Sequence, residues 1–266
     1  MGRSASILIA TAAFVCLLGA VAVAETLIGT EGADQLTGTP APDQLYGEAG
    51  NDRLTGEGAN DYLEAGPDHD EVEGGVGVDL VIGGTGNDSV DGGADGDVVY
   101  AGAGEDLVLG GHGADILLGQ ADSDRLFGGA GPDRIYASFG SDFVEAGSGN
   151  DRVTSDAGDA RIAAGAGDDV VMASGGIIDV QGGLGHDRIG TGDLGDRVSG
   201  GGGRDSIVTG LGDDTVRAGD AQRDRVDCGP GAGDTVDADR LDILIGCEHV
   251  ARATGRRAVR LAPPAR

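Results

Sequence analysis

From Gly29 to Arg217 one aliphatic residue recurs at every ninth position, without insertion or deletion. The series is Leu36, Leu45, Leu54, Leu63, Val72, Val81, Val90, Val99, Val108, Leu117, Leu126, Ile135, Val144, Val153, Ile162, Val171, Val180, Ile189, Val198, Ile207 and Val216. Two residues before each stands an Asp, from Asp34 to Asp214, replaced only at Ala160 and Ile178. A strict period this short predicts a solenoid. Each repeat reads as a six-residue turn followed by a three-residue strand, with the aliphatic residue pointing inward and its two neighbours outward.

Composition changes the picture in one respect. The chain has 54 Gly, no Trp and a formal net charge of −28, and all 18 of its basic residues are Arg. Low hydrophobicity with high net charge normally predicts disorder. The periodicity argues against that, so folding is expected to depend on a bound counter-ion. Over the whole chain this negative charge disfavours phosphate, so no nucleic-acid partner is expected.

The best copies read Gly-Gly-x-Gly-x-Asp-x-aliphatic-x: Gly83 to Asp91, Gly110 to Leu118 and Gly128 to Tyr136. This pattern resembles the RTX (haemolysin-type) calcium-binding nonapeptide repeat, over about 190 residues in one register. The resemblance implies an all-β, right-handed parallel β-roll or β-helix, with two repeats per coil. It also implies several Ca2+ ions between turns 18 residues apart, held by carbonyls and an Asp from each turn. Calcium is a hard ion that takes six to eight oxygens, and glycines let a turn aim its carbonyls at one point.

Two repeats per coil divide the carboxylates into two columns. One holds Asp43, Asp61, Asp79, Asp97, Asp115, Asp133, Asp151, Asp169, Asp187 and Asp205, with no member missing. The other contains both missing positions and poorer turns, and its best pair is Asp88 with Asp106. The expectation is one nearly full ion edge and one broken edge with a gap near residues 155–180. For the broken column a second reading stays open, in which Asp only solvates its own turn.

The outward residues also sort by sheet. One face carries Tyr46, Tyr62, Leu80, Ile82, Val98, Tyr100, Ile116, Leu118 and Tyr136, which include every Tyr of the protein. Such a stripe marks a protein partner or a homodimer contact, or it reflects β-propensity alone. Residues 1–24 read as a cleaved export signal ending Ala22-Val23-Ala24, so secretion is expected, and no other segment is apolar enough to span a membrane. Residues 25–217 form the roll. Residues 218–250 look like the terminal cap of secreted bacterial RTX-like proteins, whose paired cysteines imply a Cys228–Cys247 disulfide. Residues 251–266 read as a basic tail.

No enzyme is legible. There is no His-Glu-x-x-His and no Gly-x-Ser-x-Gly, and the four scattered His read as turn substituents. The expected function is a non-enzymatic calcium-binding structural or adhesive module. The alternative is an extracellular recognition module for a glycan, ice or a protein, with the roll as scaffold.

Overall fold

A computed structural model describes residues 23–252 and 259–261. Residues 1–22 of the expected export signal and most of the expected basic tail lie outside the described residues. The chain divides into one unit that ends at Gly129 and a second that begins at Ala130. All regular structure among the described residues is β-strand.

In the first unit, consecutive strands alternate between two parallel sheets, six strands in each. Each strand pairs with the next but one. Leu27 lies against Leu45 and Leu45 against Leu63, while Leu36 lies against Leu54 and Leu54 against Val72. The register is therefore 18 residues, two repeats to a coil, as the resemblance implies. The aliphatic positions face one another across a thin core, and Leu45, Leu63, Val81, Val99, Leu54 and Val108 are fully buried.

The second unit repeats the plan, with eight strands in one sheet and seven in the other. Here too Val153, Val171, Val180 and Ile207 are fully buried. Beyond Val216 the spacing lengthens, yet the ladder continues. Ser206 pairs with Arg225 and Thr215 with Thr235, because the extra residues bulge into the turns. Strands Arg225–Asp227, Thr235–Ala238, Ile243–Ile245 and His249–Arg252 carry both sheets onward, and Val259–Leu261 pairs with Ile243–Ile245.

One expectation needs correcting. Strands from Tyr62–Pro67 to Arg125–Ala130 have six residues, not three. The ladder runs through the glycine pair, with Gly84 opposite Gly66 and Thr85 opposite Pro67. Stacked turns of identical shape align their backbones, so glycines assigned to turns by propensity join the sheet. Gly84 sits at φ +119°, and a Cβ there would lie 1.9 Å from the Gly66 carbonyl oxygen. Only glycine tolerates that approach.

Candidate calcium site

Every Asp two residues ahead of a buried aliphatic begins a new pass through a sheet. Its side chain turns back into the turn it closes. In the first unit the N–H of Asp43 donates to Oδ1 of Asp61, Asp61 to Asp79, Asp79 to Asp97 and Asp97 to Asp115, at 2.7–2.8 Å. In the second, Asp133 donates to Asp151, Asp151 to Asp169, Asp169 to Asp187 and Asp187 to Asp205, at 2.8–3.0 Å. Asp88 and Asp106 make the same bond along the other edge of the first unit. All twelve predicted Asp residues are buried. The structure thus aligns each column within its unit.

The second carboxylate oxygen behaves differently. Oδ2 of Asp61, Asp79, Asp88, Asp97, Asp106, Asp151, Asp169, Asp187 and Asp205 is buried and accepts no hydrogen bond. A buried anionic oxygen without a donor is costly unless a cation meets it. Backbone carbonyls flank the same space. A Cβ on Gly74 would lie 2.5 Å from the Gly92 carbonyl oxygen and 2.7 Å from Oδ2 of Asp79. On Gly110 it would lie 2.6 Å from the Gly128 oxygen and 2.7 Å from Oδ2 of Asp115. The glycines leave a cradle lined by hard oxygens, a donor set that suits calcium. Among the described residues no three His, Cys, Asp or Glu side chains converge on one point. Backbone carbonyls would join the carboxylates in any coordination shell there.

Electrostatics record the same strain. Burial, opposed by the Asp79 N–H and reinforced by the charges of Asp79, Asp115 and Asp95, pushes Asp97 up to about 7. Burial likewise pushes Asp61, Asp88, Asp106, Asp169 and Asp187 up to about 6. Asp79, Asp115, Asp151 and Asp205 are raised for the same reason.

At the break in the other column the chain substitutes backbone for carboxylate. Ala160 is nearly buried and Ile178 wholly so. The N–H of Asp142 donates to the Asp159 carbonyl and that of Ala160 to the Ile177 carbonyl. Strands Asp142–Ser148, Ala160–Ala166 and Ile178–Leu184 each start at the Asp position and have seven residues. The ladder resumes where Ile178 donates to Oδ1 of Asp196.

Two elements escaped the sequence reading. Asp224 and Asp242 extend the unbroken column, through Asp205 to Asp224 at 2.9 Å and Asp224 to Asp242 at 3.1 Å. Burial pushes Asp224 up to about 7. The signal was present in Asp224-Arg225-Val226 and Asp242-Ile243-Leu244, displaced from the nine-residue beat. The second is an acceptor ladder on the turn surface. Asn87 N–H donates to Nδ1 of His69 at 2.7 Å, and Arg204 N–H to Nδ1 of His186 at 2.9 Å. Asn51, Asn150 and Asp168 act alike.

On the outer face of the first unit, Tyr62, Leu80, Val98 and Ile116 form one row and Ile82, Tyr100 and Leu118 the adjacent one, all half-buried. Tyr46 packs on Tyr62 with ring centroids 5.5 Å apart, and Tyr62 donates to Glu64 at 2.6 Å. Tyr136 lies in the second unit and is exposed. Cys228 and Cys247 form a disulfide, with Cα atoms 5.3 Å apart. Among the described residues no helix is long and apolar enough to cross a membrane.

A parallel β-roll with columns of buried carboxylates along its turns defines a class of ion-binding solenoid. The RTX calcium-binding nonapeptide repeat matches residues 24–176 in overlapping segments and again residues 190–222. The chain belongs to this family of calcium-binding repeats. A comparison with curated proteins finds no match.

Proposed function

We propose that the protein is a secreted, non-enzymatic β-roll whose folding is coupled to calcium held between successive turns. The observation that carries this is the row of buried Oδ2 atoms without a donor. Asp43 to Asp205 supply the nearly full edge, with Asp224 and Asp242 continuing it; at its start Oδ2 of Asp43 accepts from the Thr39 hydroxyl, a bond that calcium would replace. Asp88 and Asp106 supply the best pair of the broken edge, and no ion binds beside Ala160 and Ile178. Without calcium, the crowded carboxylates repel and shift the chain towards its open state. Calcium outside the cell closes it, in the range of about 10⁻⁴ to 10⁻³ M for extracellular modules. The role is structural or adhesive.

The test is a calcium titration of residues 25–266 followed by far-ultraviolet circular dichroism, with magnesium as control. A cooperative gain of β-structure specific to calcium supports the reading. A chain fully folded in chelator and indifferent to calcium overturns it.

One observation favours a recognition role in addition. Leu80, Ile82, Val98, Tyr100, Ile116 and Leu118 make a contiguous apolar patch on the outer face of the first unit. A patch of this kind suits a protein partner or a second copy. Charge reversal at Ile116 is expected to leave the calcium response intact and to change the particle size in light scattering.

A further inference from the structure

The second unit carries guanidinium groups that the calcium turns do not use. On the outer face of its first sheet, Arg134 lies beside Arg152, and Val170 separates Arg152 from Arg188. Ser206 then separates Arg188 from Arg225. All four Arg are exposed. Neighbouring strands stand about 4.8 Å apart, so Arg134 and Arg152 oppose each other as like charges. Among the described residues none of the four has an ion-pair partner, and the ion pair found is Arg53 with Glu71.

The adjoining outward row runs Tyr136, Thr154, Met172, Gly190 and Val208, and then reaches a single acid, Asp227, beside Arg225. Met172 is 54 % exposed and Val208 46 %. Cations and bare apolar side chains therefore run side by side.

The charge is sorted along the chain as well. Residues 25–129 hold 23 acids and two Arg, whereas residues 130–266 hold 23 acids and 15 Arg. Eleven acids of the second group are column aspartates, buried in the turns. Five Arg and no acid fall within residues 252–266. Part of that segment, Val259–Leu261, adds a strand to the same sheet.

We propose that this face docks on an anionic lipid bilayer. The Arg row engages lipid phosphates through paired N–H donors, and Met172 and Val208 rest among the headgroups. A membrane interface rewards both the cations and the exposed apolar row. An acidic polysaccharide would use the Arg row but gains nothing from Met172 and Val208. A nucleic-acid strand would need a series of stacking rings, and this face has Tyr136 alone. The proposal requires a folded roll but no particular number of ions.

The test is flotation of the full mature chain, at fixed calcium, with phosphatidylcholine vesicles containing about a third phosphatidylglycerol. Pure phosphatidylcholine is the control. Binding to the anionic vesicles is expected, and it should weaken as sodium chloride is added. Replacing Arg134, Arg152 and Arg188 together by Ser should lower partitioning on the order of a hundredfold, each cation contributing about fivefold. Met172→Asp should lower it further. Replacing Arg161, Arg197 and Arg217 by Ser makes the same charge change on the other sheet and should have little effect.

Equal loss from both triple variants overturns the proposal, since net charge alone would then govern binding. Retained binding of the first triple variant overturns it in favour of calcium bridging. Failure to bind these vesicles, with Arg-dependent binding of polygalacturonate, overturns it in favour of a glycan. Salt-insensitive binding of the unaltered chain overturns it whatever the variants do.

Discussion

The main-chain N–H of Asp79 donates to Oδ1 of Asp97 at 2.8 Å, eighteen residues on, while Oδ2 of the same carboxylate is buried with no donor. One oxygen closes the coil and the other is left for an ion. The two roles are separable by mutation. Asp97→Asn keeps an acceptor for Asp79 and removes the buried charge. It should leave the chain at least as stable in chelator and reduce the stabilisation gained from calcium. Asp97→Ala strands the Asp79 N–H and should cost about 1–3 kcal/mol with or without calcium. Urea unfolding in both conditions measures this. If Asn and Ala are equally damaging in chelator, the division of labour between the two oxygens fails.

Acidity should act on the same columns. Burial holds Asp97 at about 7 and Asp52, Asp61, Asp70, Asp88 and Asp106 at about 6, against 3.8 for the free side chain. A raised folded-state pKa means that the metal-free fold binds protons more tightly than the open chain. That contribution is fully present below about pH 3.8 and is lost as the pH rises through 6 to 7. In chelator, β-structure should therefore grow as the pH falls from 8 to about 5. Protons and calcium compete for Oδ2, so the calcium midpoint should move to higher concentration over the same window. Circular dichroism at stepped pH reads both. Loss of β-structure on acidification in chelator would contradict the raised pKa values.

The interruption in the second column makes an opposite case. Around Ala160 and Ile178 the coils are joined by backbone bonds and apolar packing, with Ile178 fully buried. Ile178→Ala should cost about 2–5 kcal/mol through the cavity it leaves. The cost should be the same in calcium and in chelator. The effect of Asp97→Asn should instead depend on calcium. Equal calcium dependence at the two positions would mean that an ion also binds beside Ile178.

Much of this architecture was legible from the beat of nine. Leu45, Leu63 and Val81 face inward in one sheet and Leu54, Val72 and Val90 in the other, because a period with no insertion leaves no choice of register. The six-residue strands were not legible. Gly83 and Gly84 have poor strand propensity, and they join the ladder only because a turn of identical shape lies above and below them. Asp224 and Asp242 were hidden for a different reason. The extra residues before them shift the count, although the turns absorb the shift and the carboxylates stay in line. The Nδ1 acceptors of His69 and His186 occupy a position that varies from repeat to repeat, so no sequence periodicity announces them. The Arg134–Arg152 row becomes visible only when the chain is folded on its 18-residue register.

The disulfide ties together the last coils. Cys228 follows strand Arg225–Asp227 and Cys247 follows strand Ile243–Ile245, and these two strands pair directly. Both cysteines are buried, and 19 residues separate them in sequence. Closing a loop of that length should stabilise the folded chain by about 3 kcal/mol, chiefly by restricting the open one. The benefit belongs to whichever cooperative unit contains both cysteines. A solenoid unfolds most readily from its ends, so reduction or the Cys228→Ser/Cys247→Ser variant should loosen the terminal coils first. Amide hydrogen exchange tests this in calcium. Exchange in Arg225–Asp227 and Ile243–Ile245 should quicken by on the order of a hundredfold, while Leu80–Thr85 stays protected. Uniform quickening along the chain would show that the bridge stabilises the whole solenoid as one unit. No change at either place would show that the terminal coils hold without it.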